Sequence, residues 1–249
     1  MIKYYTKVCN FYYGKLSIKL VNQKKNLPLN GNKEISFNKI EILSRDSKKL
    51  INIKDIRKLS KNLKNKIDND LKIIKKKNKN FSNLDFKNNP NIMGILNLTP
   101  DSFSDGGKFN KIDKGIKHAK NLFKFGANIV DIGGESTRPG SKAVSIKEEW
   151  NRVERVIKKI YKKIPLSLDT RKSEIMEKGI KIGVKLINDV SGLEHDPKTV
   201  DLLIRKKTPF VIQHTQGSPE NMQNRPRYKN ELLDIYDFFE KKIRYLRSM

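Results

Sequence analysis

The sequence predicts an α/β fold: a TIM-type (β/α)8 barrel of which about five βα units are present, preceded by a small α+β N-terminal extension. Two observations predict the barrel. After residue 90, short apolar runs alternate five times with longer segments of helical period, and polar residues or glycines follow each apolar run at once. This alternation is typical of parallel strands joined by helical crossovers, with a pocket built from the loops after the strands. Residues 1–80 lack the alternation, which sets them apart as the extension.

The first apolar run, Ile92 to Leu96, predicts a strand that is buried on both faces. Side-chain oxygen groups and bend residues crowd the stretch after it, which contains Asn97, Thr99, Pro100, Asp101, Ser102, Ser104, Asp105, Gly106 and Gly107. A polar cluster at the carboxyl end of a buried strand is where α/β proteins place their chemistry. An ordinary turn, held by local hydrogen bonds of its Asp, Asn and Ser side chains, is the alternative interpretation.

Four further units follow in the same pattern. Their predicted strands are Asn128–Ile132, Pro165–Leu168, Lys185–Ile187 and Phe210–Ile212. Apolar residues at helical spacing predict helices over 112–126, 146–164, 175–180, from Asp196 onward, and over 232–246. Ser145 and Glu148 form a capping box at the start of the second of these helices.

The N-terminal extension, residues 1–80, predicts a small α+β module. Short strands are expected at Tyr4–Tyr13, Lys15–Val21 and Ile35–Leu43, separated by turns rich in Lys, Asn, Pro and Gly. A single long amphipathic helix is expected from Ile53 to Ile74. Residues 81–90 form a polar linker to the barrel at 91–249. The extension shows no chemistry of its own, so a docking or stabilising module is the default interpretation.

Composition narrows the classes of function. The net charge of +27 is spread through both parts of the chain and comes mostly from Lys, and Arg-and-aromatic clusters that could stack bases are missing. We therefore expect a solvated Lys-rich surface, which favours anionic substrates, and no nucleic-acid partner. The lone Cys9 fits a reducing compartment, and neither a membrane-length apolar run nor a signal peptide is recognisable. These features predict a cytoplasmic protein without a membrane partner.

Five blocks of the barrel segment resemble the signature sequences of dihydropteroate synthases, within the wider group of pterin-binding barrels. The blocks are GILNLTPDSFSDGG, VDIGGESTRPGS, LSLDT, INDVSG and IQHTQG. The resemblance implies a transferase of folate biosynthesis that condenses (7,8-dihydropterin-6-yl)methyl diphosphate with p-aminobenzoate to give 7,8-dihydropteroate and diphosphate. A methyltetrahydrofolate-dependent methyltransferase domain and a truncated, non-catalytic pterin-binding protein are the alternatives, and the first two blocks favour the synthase.

The resemblance also implies roles for particular residues. Asp169 and Asn188 close neighbouring strands and match residues that hold the pterin ring, whose polar edge requires a carboxylate or an amide. Asn97 matches the residue that positions Mg²⁺, the one implied cofactor, on the substrate diphosphate. Asp169 and Arg138 are the expected catalytic residues. The residues expected to bind substrate are Asp101, Phe103, Thr137, Arg138, Asp169, Asn188 and His214.

Two expectations qualify this interpretation. His214 fits either the floor of the site or a structural histidine packed within the fold. A closed barrel needs eight units and five are countable, so we expect a chain that lacks the last three units, as a fragment or a partner-completed form. On that expectation the chain alone has little or no activity, and a homodimer is an expectation only for a full-length form.

Overall fold

A computed structural model describes residues 2–77, 80, 84, 90–99, 110–136, 141–217 and 225–249. The chain falls into two compact units, Met1–Lys79 and Asn80–Met249. None of the described helices is both long and apolar enough to cross a membrane.

The N-terminal unit is built around one long antiparallel strand. Its elements are β1 (Tyr5–Tyr13), α1 (Gly14–Asn22), β2 (Leu27–Leu29), β3 (Asn32–Leu43), β4 (Lys48–Asn52), a 3₁₀ helix (Ile53–Lys58) and α2 (Lys61–Ile74). Strand β3 pairs with β1 along one side, and β2 and β4 pair with it at different positions. Side chains of β3, the 3₁₀ helix and α2 form the core of this unit, which consists of Phe37, Ile40, Ile42, Ile56, Ile67 and Leu71.

Two predictions for the N-terminal unit are wrong. Residues 15–21, predicted as a strand, lie in helix α1. Gly14 adopts a positive φ of 58° and turns the chain after β1, and the buried hydroxyl of Ser17 then donates to the carbonyl of Lys33 over 2.7 Å. The predicted long helix is broken at Leu59, which is extended, so that a 3₁₀ helix precedes α2. In both places packing within the unit overrides the local apolar pattern.

The second unit is a five-stranded parallel sheet in sequential order, with a helix after each strand. Its strands are β5 (Met93–Asn97), β6 (Ile129–Gly133), β7 (Leu166–Asp169), β8 (Leu186–Asp189) and β9 (Phe210–Ile212). The helices are α3 (Asn110–Lys124), α4 (Ile146–Ile160), α5 (Ser173–Ile182), α6 (Thr199–Lys206) and α7 (Glu231–Ser248). The predicted fold class is confirmed: this unit is a partial (β/α) barrel.

Local chemistry accounts for the ends of these helices. Ser145 caps α4 by accepting from the backbone N–H of Glu148, as the sequence predicts. The helix predicted from Asp196 begins later, at Thr199, because the Asp196 carboxylate accepts from the backbone N–H groups of Lys198 and Ser173 instead. Asp196 thus stabilises the N-terminus of α5.

The two faces of the sheet carry different side chains because successive residues of a strand point to opposite sides. The outer face is apolar and packs on the helices through Leu96, Val130, Ile132, Leu166, Leu168 and Ile187. The inner face bears Asp131, Ser167 and the polar residues at the carboxyl ends of the strands. Near the amino ends of the strands, Leu84 packs on Ile129 and Leu186 and covers that part of the inner face.

Candidate active site

Strand register brings three predicted site residues into one row. Asn97 of β5 pairs with Gly133 of β6, Gly133 with Asp169 of β7, and Asp169 with Asn188 of β8. Paired residues of a parallel sheet project from the same face, so these side chains lie side by side at the carboxyl edge of the inner face. The structure therefore brings together the predicted Mg²⁺ residue and the two predicted pterin residues.

Gly133 leaves space between its neighbours in this row. A Cβ atom at this position would lie 3.4 Å from Asn97 Oδ1 and 3.5 Å from Asp169 Oδ2. Both side chains therefore border the surface above the glycine. The Asn97 side chain is exposed and forms no hydrogen bond within the described part of the chain, so its amide is free to bind a ligand.

Asp169 combines burial with an unused hydrogen-bonding atom. Its Oδ1 is shielded from solvent and has no hydrogen-bond partner among the described residues. Burial, followed by repulsion from Asp131, Glu149 and two further carboxylates, raises the pKa of Asp169 to about 8. Near neutral pH this side chain is therefore mostly a neutral carboxylic acid, which can donate one hydrogen bond and accept others.

Asp131 lies beneath this row and was not singled out from the sequence. It sits in the middle of β6 on the inner face, and its Oδ2 accepts from Nδ2 of Asn188 over 2.8 Å. Burial raises the pKa of the Asp131 carboxyl. A carboxylate within the otherwise apolar run Ile129–Ile132 was the signal that could have revealed it, because such a group is costly to bury without a role.

A buried network of charges, whose carboxylates Glu149 and Glu135 help to raise the pKa of Asp169, was also missed. Lys172 Nζ lies 3.0 Å from Glu135 Oε1 and 2.5 Å from Glu149 Oε2, and it donates to the carbonyl of Val144 over 2.8 Å. Arg171 Nε donates to Glu135 Oε2 over 2.9 Å. These contacts join the loops after β6 and β7 to helix α4, so the network holds three segments in fixed relation.

Hydrogen bonds within the network favour the ionised form of Glu135. Burial alone would raise the pKa of Glu135, but hydrogen bonds from Arg171, the backbone of Val144 and Lys172 outweigh it and hold that pKa below its usual value. Two cations therefore face two carboxylates in a setting that is largely dry. Removal of any one partner would leave an uncompensated buried charge.

Two hydrogen bonds hold the described ends of the loop after β6. Ser141 Oγ donates to the carbonyl of Ser136 over 2.6 Å, and the backbone N–H of Val144 donates to Glu135 Oε1 over 2.9 Å. Gly134 is needed here because a Cβ atom would lie only 2.8 Å from the carbonyl oxygen of Glu149 in α4. The adjacent glycines Gly133 and Gly134 of the VDIGGESTRPGS block thus have separate packing roles.

His214 lies among aromatic side chains. Its Nε2 is 3.2 Å from Tyr228 Oη, and its ring centroid is 4.5 Å from that of Phe238 and 6.4 Å from that of Phe239, both on α7. This environment suits a packed structural histidine, the second of the two interpretations. Its Nδ1 is buried without a partner among the described residues, and a part in substrate binding stays a prediction.

Four predicted site residues, Asp101, Phe103, Thr137 and Arg138, lie outside the described residues, and their roles stay predictions from the sequence. Within the described part of the chain, no group of three or more His, Cys, Asp or Glu side chains could hold a metal ion.

Comparisons with known proteins identify the family of the second unit. Residues 93–249 match the family model described as pterin binding enzyme. Dihydropteroate synthase of Bacillus subtilis is 46% identical over 145 residues, which is 57% of this chain and 50% of the relative. The Escherichia coli enzyme is 40% identical over 156 residues, 62% of this chain and 55% of the relative. The chain thus spans about half the length of the curated relatives it matches.

The solved structures that resemble this chain include dihydropteroate synthases. A dihydropteroate synthase from Clostridium difficile, determined in the presence of pteroic acid, has a TM-score of 0.61 and 42% identity, covering 66% of this chain and 61% of that one. A Xanthomonas albilineans dihydropteroate synthase with 4-aminobenzoic acid has a TM-score of 0.58 and 37% identity, covering 64% and 56%. The similarity extends over the part of the chain that contains the row of site residues.

Proposed function

The chain belongs to the pterin-binding enzyme family, and we propose that its second unit acts as a dihydropteroate synthase. The reaction would join (7,8-dihydropterin-6-yl)methyl diphosphate to p-aminobenzoate and release diphosphate. The observation that carries the proposal is the row formed by Asn97, Asp169 and Asn188 across adjacent strands, above the buried Asp131. The names of the relatives, and the pteroic and 4-aminobenzoic acids in two related structures, support the choice of substrates.

Asp169 and Asn188 would hold the pterin ring by its aminopyrimidine edge. That edge presents N–H donors beside acceptor atoms, and a neutral Asp169 can both donate and accept. The amide nitrogen of Asn188 is committed to Asp131, which leaves its carbonyl oxygen to accept from the ring. An unpaired polar group costs about 1–3 kcal/mol when buried, so these partners would select a pterin over an apolar ring of similar size.

Asn97 would help to place the diphosphate with its Mg²⁺. The exposed Asn97 amide beside Gly133 forms no hydrogen bond to the described residues and fits such a role, since Mg²⁺ commonly takes one or two protein oxygens and completes its shell with phosphate and water. A bound Mg²⁺ would neutralise charge that develops on the leaving diphosphate. Arg138, predicted from the sequence to bind the diphosphate or the p-aminobenzoate carboxylate, would add a cation.

The reaction requires little from the protein beyond binding and orienting the two substrates. The amine nitrogen of p-aminobenzoate forms a bond to the pterin methylene carbon as the carbon–oxygen bond to diphosphate breaks, and the amine loses a proton. A covalent intermediate with the protein is not needed.

Titration calorimetry with 6-hydroxymethylpterin, which carries the ring but no diphosphate, tests the proposed floor. Asp169→Ala removes both hydrogen-bonding oxygens and should weaken binding about 100-fold, from two lost bonds of roughly 1.5 kcal/mol each. Glu174→Ala, on the exposed side of α5, is the control and should bind like the parent. Equal pterin affinity in the parent and Asp169→Ala would refute the assignment.

A second measurement addresses the diphosphate and turnover. Asn97→Ala should weaken capture of diphosphate in the presence of Mg²⁺ while leaving the affinity for 6-hydroxymethylpterin unchanged. With both substrates present, formation of dihydropteroate by the parent should be slow, as expected for a chain that spans about half the length of its relatives, and should be lost in Asp169→Ala. Pterin binding without turnover would restrict the function to a pterin-binding protein.

A further inference from the structure

The N-terminal unit contains a groove that is not part of the proposed active site. It lies between the 3₁₀ helix Ile53–Lys58 and α2, and its volume is about 610 Å³. Small-molecule sites typically enclose roughly 300–1,000 Å³, so the groove is large enough for a ligand of the size of a nucleotide.

The walls of the groove are strongly basic. They carry five cations and a single carboxylate, namely Lys54, Arg57, Lys64, Lys72, Lys75 and Asp68. Three of them, Lys64, Asp68 and Lys72, follow the spacing of one face of α2, and Lys75 caps the C-terminus of that helix. The walls therefore hold a net charge of +4 over the span of two short helices.

Two acidic residues near the groove are paired with lysines that do not line it. Asp55 lies 2.7 Å from Lys58 on the 3₁₀ helix, and Asp70 of α2 lies 2.5 Å from Lys66. None of these four residues lines the groove. In the described part of the chain, none of the five groove cations has a carboxylate within 4.0 Å. Their charge is thus available to an anionic ligand.

The floor of the groove is apolar. Ile56 and Leu71 are buried there, and Leu27 and Ile53 line it half-buried. The side chains of Asn65 and Asn69 add neutral hydrogen-bonding groups at the wall. A ligand that fits would therefore combine a flat, weakly polar ring with several negative charges close together.

We propose that this groove binds an organic diphosphate, with its ring on the Ile56–Leu71 floor and its phosphates between the lysines and Arg57. A nucleoside diphosphate meets both requirements. The site belongs to the N-terminal unit alone, and the inference does not depend on the function proposed for the barrel. It assigns a binding role to a module whose sequence shows no chemistry.

The test is a calorimetric titration of the full chain with adenosine diphosphate in the presence of EDTA. Arg57→Gln combined with Lys72→Gln removes one cation from each wall and should weaken the affinity about tenfold or more, because two phosphate contacts are lost. Lys61→Gln combined with Lys76→Gln removes the same charge from the ends of α2 outside the groove, and it should bind like the parent. Asp169→Ala, which alters the barrel, should also leave this affinity unchanged.

A single-stranded RNA of 20 nucleotides serves as the competing probe. Loss of adenosine diphosphate binding in the groove variant but in neither the charge-matched variant nor Asp169→Ala supports the proposal. An equal loss in the charge-matched variant would mean that overall charge, and not the groove, determines binding. RNA binding without measurable adenosine diphosphate binding would replace the small-molecule site with a nucleic-acid surface, and absence of both would overturn the inference.

Discussion

Asn188 donates a hydrogen bond from Nδ2 to Oδ2 of the buried Asp131 over 2.8 Å, which links strand β8 to strand β6 across the inner face of the sheet. The two residues are 57 positions apart in the chain. Because this bond uses the amide nitrogen, it restricts the orientation of the Asn188 side chain and leaves its carbonyl oxygen as an acceptor for the proposed ligand. Asp131 is therefore a positioning residue for Asn188.

Two substitutions of Asp131 should distinguish the effect of its hydrogen-bond acceptor on Asn188 from the effect of its charge. Asp131→Ala removes the acceptor and frees the Asn188 amide to rotate, so the affinity for 6-hydroxymethylpterin should fall about tenfold, the equivalent of one hydrogen bond. Asp131→Asn keeps an acceptor oxygen and should retain the parent's affinity within about threefold. Calorimetry on both variants checks this. If Asp131→Asn binds as poorly as Asp131→Ala, the charge of Asp131 matters more than its acceptor atom.

Asp169→Asn should make the barrel unit less sensitive to pH. The pKa of Asp169 is raised to about 8, so between the ordinary value of 3.8 and about 8 the folded chain holds a proton that the unfolded chain has lost. The stabilisation from this proton is complete at low pH and is lost as the pH rises through about 8. Asparagine cannot ionise, so Tm should fall less between pH 5 and pH 8 in the variant than in the parent.

Fluorescence of the single tryptophan, Trp150 on α4, reports unfolding of this unit in that experiment. Asp131 and Asp189 also have raised pKa values, and they contribute a fall in stability of the same sign to the parent and the variant alike. An identical fall in Tm for parent and variant would show that Asp169 is ionised throughout the range.

Lys172→Met should destabilise the barrel unit strongly. It leaves Glu135 and Glu149 buried without their shared cation, and breaking a buried ion pair in this way costs about 3–5 kcal/mol. Lys158→Met, which breaks the exposed pair with Glu154, should cost less than about 1 kcal/mol. Urea unfolding followed by Trp150 fluorescence gives both values, and similar costs for the two variants would mean that solvent reaches the network.

The adjacent glycines of β6 and its loop should respond differently to a methyl group. In Gly134→Ala the new Cβ would lie 2.8 Å from the Glu149 carbonyl oxygen, and overpacking of this kind costs roughly 1–3 kcal/mol. In Gly133→Ala the nearest atoms are Asn97 Oδ1 at 3.4 Å and Asp169 Oδ2 at 3.5 Å, a tight but tolerable fit. That variant should keep its stability within about 0.5 kcal/mol and lose pterin affinity, because the methyl group occupies the surface of the site.

Urea unfolding and pterin calorimetry on the same two variants separate the effects. The expected pattern is one variant with lower stability and one with lower affinity. A stable Gly134→Ala would show that α4 can move away from the loop, and normal pterin binding by Gly133→Ala would place the ligand away from Asn97 and Asp169.

The sequence by itself determined the architecture of the barrel unit and the position of three residues of the proposed site. Strand and helix periods are local properties, so the order of apolar and polar residues is enough to locate the five βα units. Asn97, Asp169 and Asn188 each follow or end a predicted strand, and the carboxyl ends of parallel strands must meet at one edge. In the N-terminal unit the same reasoning from local pattern gave a wrong prediction. Leu16, Ile18 and Leu20 alternate with other residues as they would in a strand, but they lie in helix α1.

Only the tertiary structure decided which polar groups meet. The partnership of Asp131 with Asn188 depends on the register of three strands, and that of Lys172 with Glu135 and Glu149 depends on how α4 packs against two loops. The basic groove likewise exists only because the break at Leu59 sets two short helices side by side. Periodicity specifies which face of an element is buried, but hydrogen bonds and ion pairs act over a few ångströms, and residues distant in sequence come within that range only through packing.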